Sequence, residues 1–316
     1  MTKFERKFDV EAIEKVVDAQ ENAWFRDLLK RWCPAGNGGA EAKADHLRLA
    51  VRNGYLNFYR AGQSVAKVNI DRTTGNLQAR VHKKYVGEDA LAQDYVLLRE
   101  GKYTKADGSK ERYREELLCK WIKAADNEIY VKKEKRFVDL LVAKNPGVID
   151  LEAGLPWDSH IWKKKSAKRI DIVALEPCGD RYKLVFWEAK LVTNPEARSS
   201  TEPEVWGQVE RYQNWLEKYQ IDVRSAYQAT CAVLARIHGI ARARKLNAWQ
   251  LGTAVSAVAT QEPSQLLLEV KPRLIIDGRR DNKAFVQNGH LEQLRAHGIQ
   301  VQMVRGETEM ALSAKA

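Results

Sequence analysis

The order of apolar and polar positions changes character several times along this chain. Val10, Ile13, Val17, Trp24, Leu28 and Trp32 recur at helical spacings, so residues 10–32 are predicted to form a helix with one buried stripe, stopped by Pro34. A glycine-rich loop follows at 34–39, and no G-K-[ST] comes after it to make it a phosphate cradle. Over 47–52, 55–59, 65–70 and 77–81 the period shortens to two. Asn53-Gly54, Ala61-Gly62 and Thr74-Gly75 separate these runs, which predicts a small antiparallel meander. Residues 88–126 are densely charged and predicted helical, with a break at Asp107-Gly108.

A second unit is expected from about residue 125. Its pattern predicts a helix over 132–143, ended by Asn145-Pro146, and then strands over 169–175 and 182–191 joined by a hairpin through Pro177, Gly179 and Asp180. Helices over 204–219 and 223–249 follow, then a strand at 273–276, a helix at 291–297 and a strand at 299–304. Mixing helices and strands in this order predicts an α/β class: a mixed sheet flanked by helices over 126–306, preceded by an α+β accessory domain over 1–125 and followed by a polar tail over 307–316.

Composition narrows the picture. At 316 residues, 44% hydrophobic and 30% charged, the chain is a folding one rather than a disordered one. Its longest apolar runs, such as 231–234 and 266–268, fall far short of the roughly 18 residues a membrane helix needs, and the first residues alternate charge with apolar groups instead of forming a secretory leader. No membrane association is expected, and a cytoplasmic location is. Cys33, Cys119, Cys178 and Cys231 are scattered with no C-x-x-C pair, so neither a zinc site nor a disulfide framework is predicted. Histidines lack H-x-H and H-E-x-x-H spacing, and no G-x-S-x-G occurs. Lys and Arg exceed Asp and Glu by 53 to 42, and the excess is shared by the stretches before and after residue 120, which suits a polyanionic partner.

The chemistry concentrates on the predicted hairpin. With a period of two, Asp171 is a carboxylate set in an apolar strand, and Glu188 and Lys190 share a face of the next strand. A tight turn between the strands brings two carboxylates and an ammonium together. Close carboxylates repel, and a hard divalent cation with oxygen ligands, Mg2+ above all, resolves that repulsion. Glu134, on the preceding helix whose stripe Phe137, Leu140 and Leu141 is expected to pack on the sheet, supplies a further acid. Lys190 is placed to position the attacking water or to help deprotonate it. The [DE]-x-K tripeptides that begin at Glu5, Glu41, Glu269 and Asp281 have no acidic partner on a neighbouring predicted strand.

These residues resemble the PD-(D/E)XK nucleases, the restriction-endonuclease-like superfamily. Glu134 matches the first-helix acid, Asp171 the motif aspartate, and Glu188 and Lys190 the E-x-K pair, with Ile170 where the name-giving proline stands. Gln208 and Tyr212 form a Q-x-x-x-Y on the helix after the hairpin, where RecB-like and lambda-exonuclease-like members carry theirs. The scattered cysteines depart from the iron–sulfur subgroup of that branch.

The resemblance implies a restriction-endonuclease-like fold and a Mg2+-dependent nuclease, with Mn2+ able to substitute, hydrolysing DNA in repair, recombination or defence against foreign DNA. Asp171, Glu188 and the carbonyl of Ala189 would be the metal ligands, Glu134 an auxiliary one and Lys190 the water-positioning residue. Gln208, Tyr212 and the basic run Lys163, Lys164, Lys165, Lys168 and Arg169 would contact the nucleic acid. A homodimer or a larger nuclease complex is a further expectation. The alternative reading keeps the fold as a non-cleaving nucleic-acid-binding or complex-assembly module.

Overall fold

The N-terminal apolar stripe folds as two helices, not one. These are α1 (Val10–Val16), capped by Asp9, whose Oδ1 accepts from the Ala12 N–H at 3.0 Å, and α2 (Ala23–Arg31), with a 3-10 turn at Gln20–Asn22 between them. The computed structural model describes residues 4–37, 45–87, 94–105, 107–127, 133–162, 168–198, 204–280 and 282–312.

The predicted meander is present as β1 (Arg48–Arg52), β2 (Tyr55–Arg60), β3 (Gln63–Ile70) and β4 (Leu77–His82). It is larger than expected. After the short α3 (Lys83–Val86), the strands β5 (Tyr95–Arg99), β6 (Lys102–Thr104) and β7 (Lys110–Arg112) continue it to seven antiparallel strands in sequence order. The helix expected over 88–126 is thereby corrected, and among the described residues there only α4 (Glu115–Ala125) is helical. Val96 and Leu98 are buried while Leu97 and Arg99 are exposed, a period of two that the density of charge obscured.

The second unit opens with α5 (Lys133–Lys144), then β8 (Val148–Leu155), β9 (Lys168–Cys178) and β10 (Arg181–Leu191). Helices α6 (Glu204–Lys218), α7 (Gln220–Ala243) and α8 (Thr253–Ala259) lead to β11 (Leu267–Leu268) and β12 (Arg273–Asp277). Helices α9 (Asn282–Gln287) and α10 (His290–Ala296) and strand β13 (Val301–Val304) complete it. The sheet order is β13-β12-β10-β9-β8, with β11 also beside β10. Pairing is antiparallel from β8 to β10, then parallel to β12 and β13, so the molecule is mixed α/β with one antiparallel and one mixed sheet flanked by helices. Strand β8 was not expected, nor were α8, β11 and α9; α7 stops six residues before its predicted end.

Alternation sorts the hairpin side chains onto two faces. Ile172, Ala174, Val185 and Trp187 share a buried cluster with Phe137 and Leu141 of α5. Leu140, expected in that stripe, is instead 37% exposed. Val173, Leu184 and Phe186 pack in the cluster that holds Tyr212, Trp215 and Tyr227 of α6 and α7.

That cluster also runs back across residue 125. Phe4 meets the Trp215 ring edge-on, with centroids 5.3 Å apart, and Arg52 donates to Asp150 Oδ1 at 2.5 Å and to the Leu151 carbonyl at 2.6 Å. The stretch after Gly306, expected as a polar tail, is docked as far as it is described: Met310 is buried, and Asn145 donates to its carbonyl at 2.8 Å and accepts from Leu312 N–H at 2.7 Å. No described helix is long and apolar enough to cross a membrane.

Candidate active site

Strand register builds the site. The last β9–β10 pair is Ile172 with Trp187, so the next position sets Asp171 across from Glu188. On the other side of β9, the pairs Leu151–Ile172 and Ala153–Ile170 set Glu152 across from Asp171. Three carboxylates therefore stand in one row over three adjacent strands, and each is more than nine-tenths buried, at 7% exposure for Glu152, 7% for Asp171 and 3% for Glu188. Like charges this close are costly unless something compensates them.

Compensation comes partly from the chain itself. Asp171 Oδ2 accepts from the Ala189 N–H at 2.9 Å, which ties the aspartate to the middle of the E-x-K tripeptide. Lys135, in the first turn of α5, donates to Asp171 Oδ1 at 3.3 Å and also to Glu152 Oε1, so its ammonium bridges two carboxylates. Arg169 approaches the other Glu152 oxygen at 3.6 Å. Lys190 donates to Glu188 Oε1 at 2.8 Å and pairs with Glu196 at 2.9 Å.

The remaining candidates take clear places. Gln208 Nε2 lies 2.9 Å from Glu188 Oε1 and 2.7 Å from the Tyr212 hydroxyl, and that hydroxyl donates to the Arg169 carbonyl at 2.7 Å. The Q-x-x-x-Y pair thus joins α6 to both strands of the hairpin. Tyr212 is buried, so it acts as a brace and is not placed to touch a bound strand. Glu134 accepts from Asn194 Nδ2 at 3.1 Å and lies close enough to Glu188 and Lys190 for its charge to act on both. Lys168 lines an open cleft of about 530 Å3 together with Trp162, Glu196, Gln208 and Arg211. Lys163, Lys164 and Lys165 lie outside the described residues.

One oxygen is left over. Glu188 Oε2 is buried and has no hydrogen-bond partner, although its sister oxygen has two. Burial first, and then the charge of Asp171, push the Glu188 carboxyl up to about 8 despite the attraction of Lys190. Burial alone would lower the Lys190 ammonium, but the charge and hydrogen bond of Glu188, with a further hydrogen bond to Glu196, outweigh it and raise it. Burial and the Glu188 charge likewise raise the Tyr212 hydroxyl.

Among the described residues no group of three His, Cys, Asp or Glu side chains is arranged to hold a metal ion as it stands. The donor set nevertheless fits a hard cation. Three buried carboxylates face the ammoniums of Lys135 and Lys190, and one oxygen of Glu188, the E-x-K acid at the end of the row, has no partner within the chain. All four cysteines are free, with Cys33 and Cys231 buried.

Two site residues carry no motif. Lys135 sits in a basic run that reads as a solvated helix face, and Glu152 lies on the strand the pattern did not reveal. A signal was present: Asp150 and Glu152 alternate with Ile149, Leu151 and Ala153, a period of two with acids on one face. Arg211, in the cleft, was also missed; it lies over Gly207, where a Cβ would come within 3.2 Å of its Nη1.

Comparison with known proteins gives no match for this chain among family models, curated proteins or solved structures.

Proposed function

We propose that this protein is a divalent-metal-dependent phosphodiesterase of the PD-(D/E)XK kind, with a restriction-endonuclease-like second unit, and that its substrate is DNA. The observation that carries this reading is the buried, unpartnered Glu188 Oε2 beside Asp171 and Lys190. Asp171, Glu188 and the Ala189 carbonyl would hold the cation, with Glu134 next to them. A divalent ion supplies Lewis-acid polarisation of a phosphate and a water of lowered pKa when bound.

The protein's own groups do the rest. Gln208 and Lys190 fix Glu188 Oε1, leaving the other oxygen without a partner in the chain. Lys190, held protonated, donates to the incoming water or to a phosphate oxygen and so orients and stabilises without taking a proton. Lys168 and Arg211 line the adjoining cleft with positive charge, which suits a phosphate backbone. The basic composition agrees with such a partner.

A second reading, a nucleic-acid-binding module that does not cut, draws on the engagement of both Asp171 oxygens by Ala189 and Lys135. Cleavage of plasmid and linear DNA with Mg2+, Mn2+ or EDTA separates the two. The nuclease reading expects metal-dependent cutting that Asp171→Ala and Lys190→Ala abolish. Equal cutting by both variants, or salt-sensitive binding with no cutting, rejects it.

A further inference from the structure

We propose that Lys135 is a built-in counter-ion that a divalent cation must displace from Asp171, and that Glu152 is the berth that keeps the displaced ammonium inside the site. The inference rests on the metal-dependent reading above and extends it to two residues outside the E-x-K motif.

Four observations converge. Both Asp171 oxygens are engaged: one accepts from the Ala189 backbone and the other from Lys135. The backbone contact is part of the hairpin and is fixed with it, so Lys135 is the partner that can yield. Glu152 lies in cross-strand register with Asp171 and already shares the ammonium, so the lysine can give up Asp171 without leaving its second carboxylate. Glu152 also holds a left-handed backbone, φ 51, in the middle of a strand, a conformation a glutamate keeps only where its surroundings impose it.

The fourth observation concerns reach. Gly62, in the β2–β3 turn, lies against the aliphatic stem of Lys135, and a Cβ there would fall 2.8 Å from the lysine Cδ. The turn therefore closes over the stem and limits where the ammonium can go. Through this contact the N-terminal sheet packs on the stem of the lysine that bridges two of the acids.

Lys135 is thus a positioning residue, and cation affinity reports on it independently of cleavage. The test is calorimetric titration of Mn2+ into the full chain at constant pH, using wild type, Lys135→Met, Lys135→Arg and Asp171→Asn. Removing the competing charge is expected to tighten binding at least about tenfold in Lys135→Met, about 1.4 kcal/mol. Lys135→Arg, which keeps the charge, stays near wild type. Should the methionine variant not fold, Lys135→Gln keeps the stem and must also bind more tightly. Equal or weaker binding by the neutral variants, with Asp171→Asn still abolishing it, overturns the counter-ion role and leaves the metal-dependent reading intact. No binding by wild type or by any variant overturns both.

Discussion

Glu152 and Asp171 stand opposite one another on neighbouring antiparallel strands with a single lysine ammonium between them. That relationship, continued one strand further to Glu188, makes the site a row of acids whose charge the chain only partly offsets. The stability and the ligand response of the molecule should both carry its mark.

The first consequence is a pH dependence. Glu188 titrates near 8 in the folded chain, well above an ordinary carboxylate, so the folded state holds a proton that the unfolded state has already lost. Stability should therefore fall as pH rises from about 5 to about 8. Glu188→Gln should flatten that slope, and millimolar Mg2+ should restore stability at the alkaline end. Melting temperatures taken across this range provide the check, and a slope equally steep in Glu188→Gln would place its origin elsewhere.

Gly62 offers a test of the packing between the N-terminal sheet and α5. Its φ of 74 and the 2.8 Å approach to Lys135 both oppose a side chain. Gly62→Ala should cost about 1–3 kcal/mol in urea unfolding. Adding Lys135→Ala, which removes the atom that clashes most, should return part of that cost, so the two changes should be non-additive.

The Q-x-x-x-Y pair should separate into two roles. Gln208→Ala leaves Glu188 Oε1 with Lys190 as its one donor and should reduce cation affinity or cleavage roughly 10–100-fold, as loss of a group that orients a ligand does. Tyr212→Phe loses a hydroxyl that braces the Arg169 carbonyl, and should cost about 1 kcal/mol of stability with a smaller effect on activity. Parallel titrations and melts distinguish them.

Across residue 125 the buried Arg52–Asp150 pair, with Tyr227 donating to the second Asp150 oxygen at 3.1 Å, joins the two sheets. Arg52→Met leaves that carboxylate poorly compensated and should destabilise the chain by about 3–5 kcal/mol. A single loss of cooperativity in both halves, read by tryptophan fluorescence and amide exchange, is the expected signature.

The chain's periodicities made much of this architecture legible. The hairpin, its neighbouring helices and the first four meander strands follow from alternation, turn residues and helical stripes. The acids of β8 are a different case. Asp150 and Glu152 made the segment look polar because their partners, Arg52 and Lys135, are 98 and 17 positions away and were invisible along the chain. The strands at 95–112 were concealed in the same way, since charge at exposed edges resembles a solvated helix when burial is unknown. Asp171, Glu188 and Lys190 stood out because a charged residue in an apolar strand needs a reason. Lys135 did not, because a lysine among lysines needs none.

The most direct measurement is a crystal structure with Mn2+ soaked in and located by its anomalous signal. The account predicts a peak in contact with Glu188 Oε2 and Asp171, with the Lys135 ammonium withdrawn onto Glu152. An unchanged Lys135–Asp171 contact and no ion at Glu188 would contradict it.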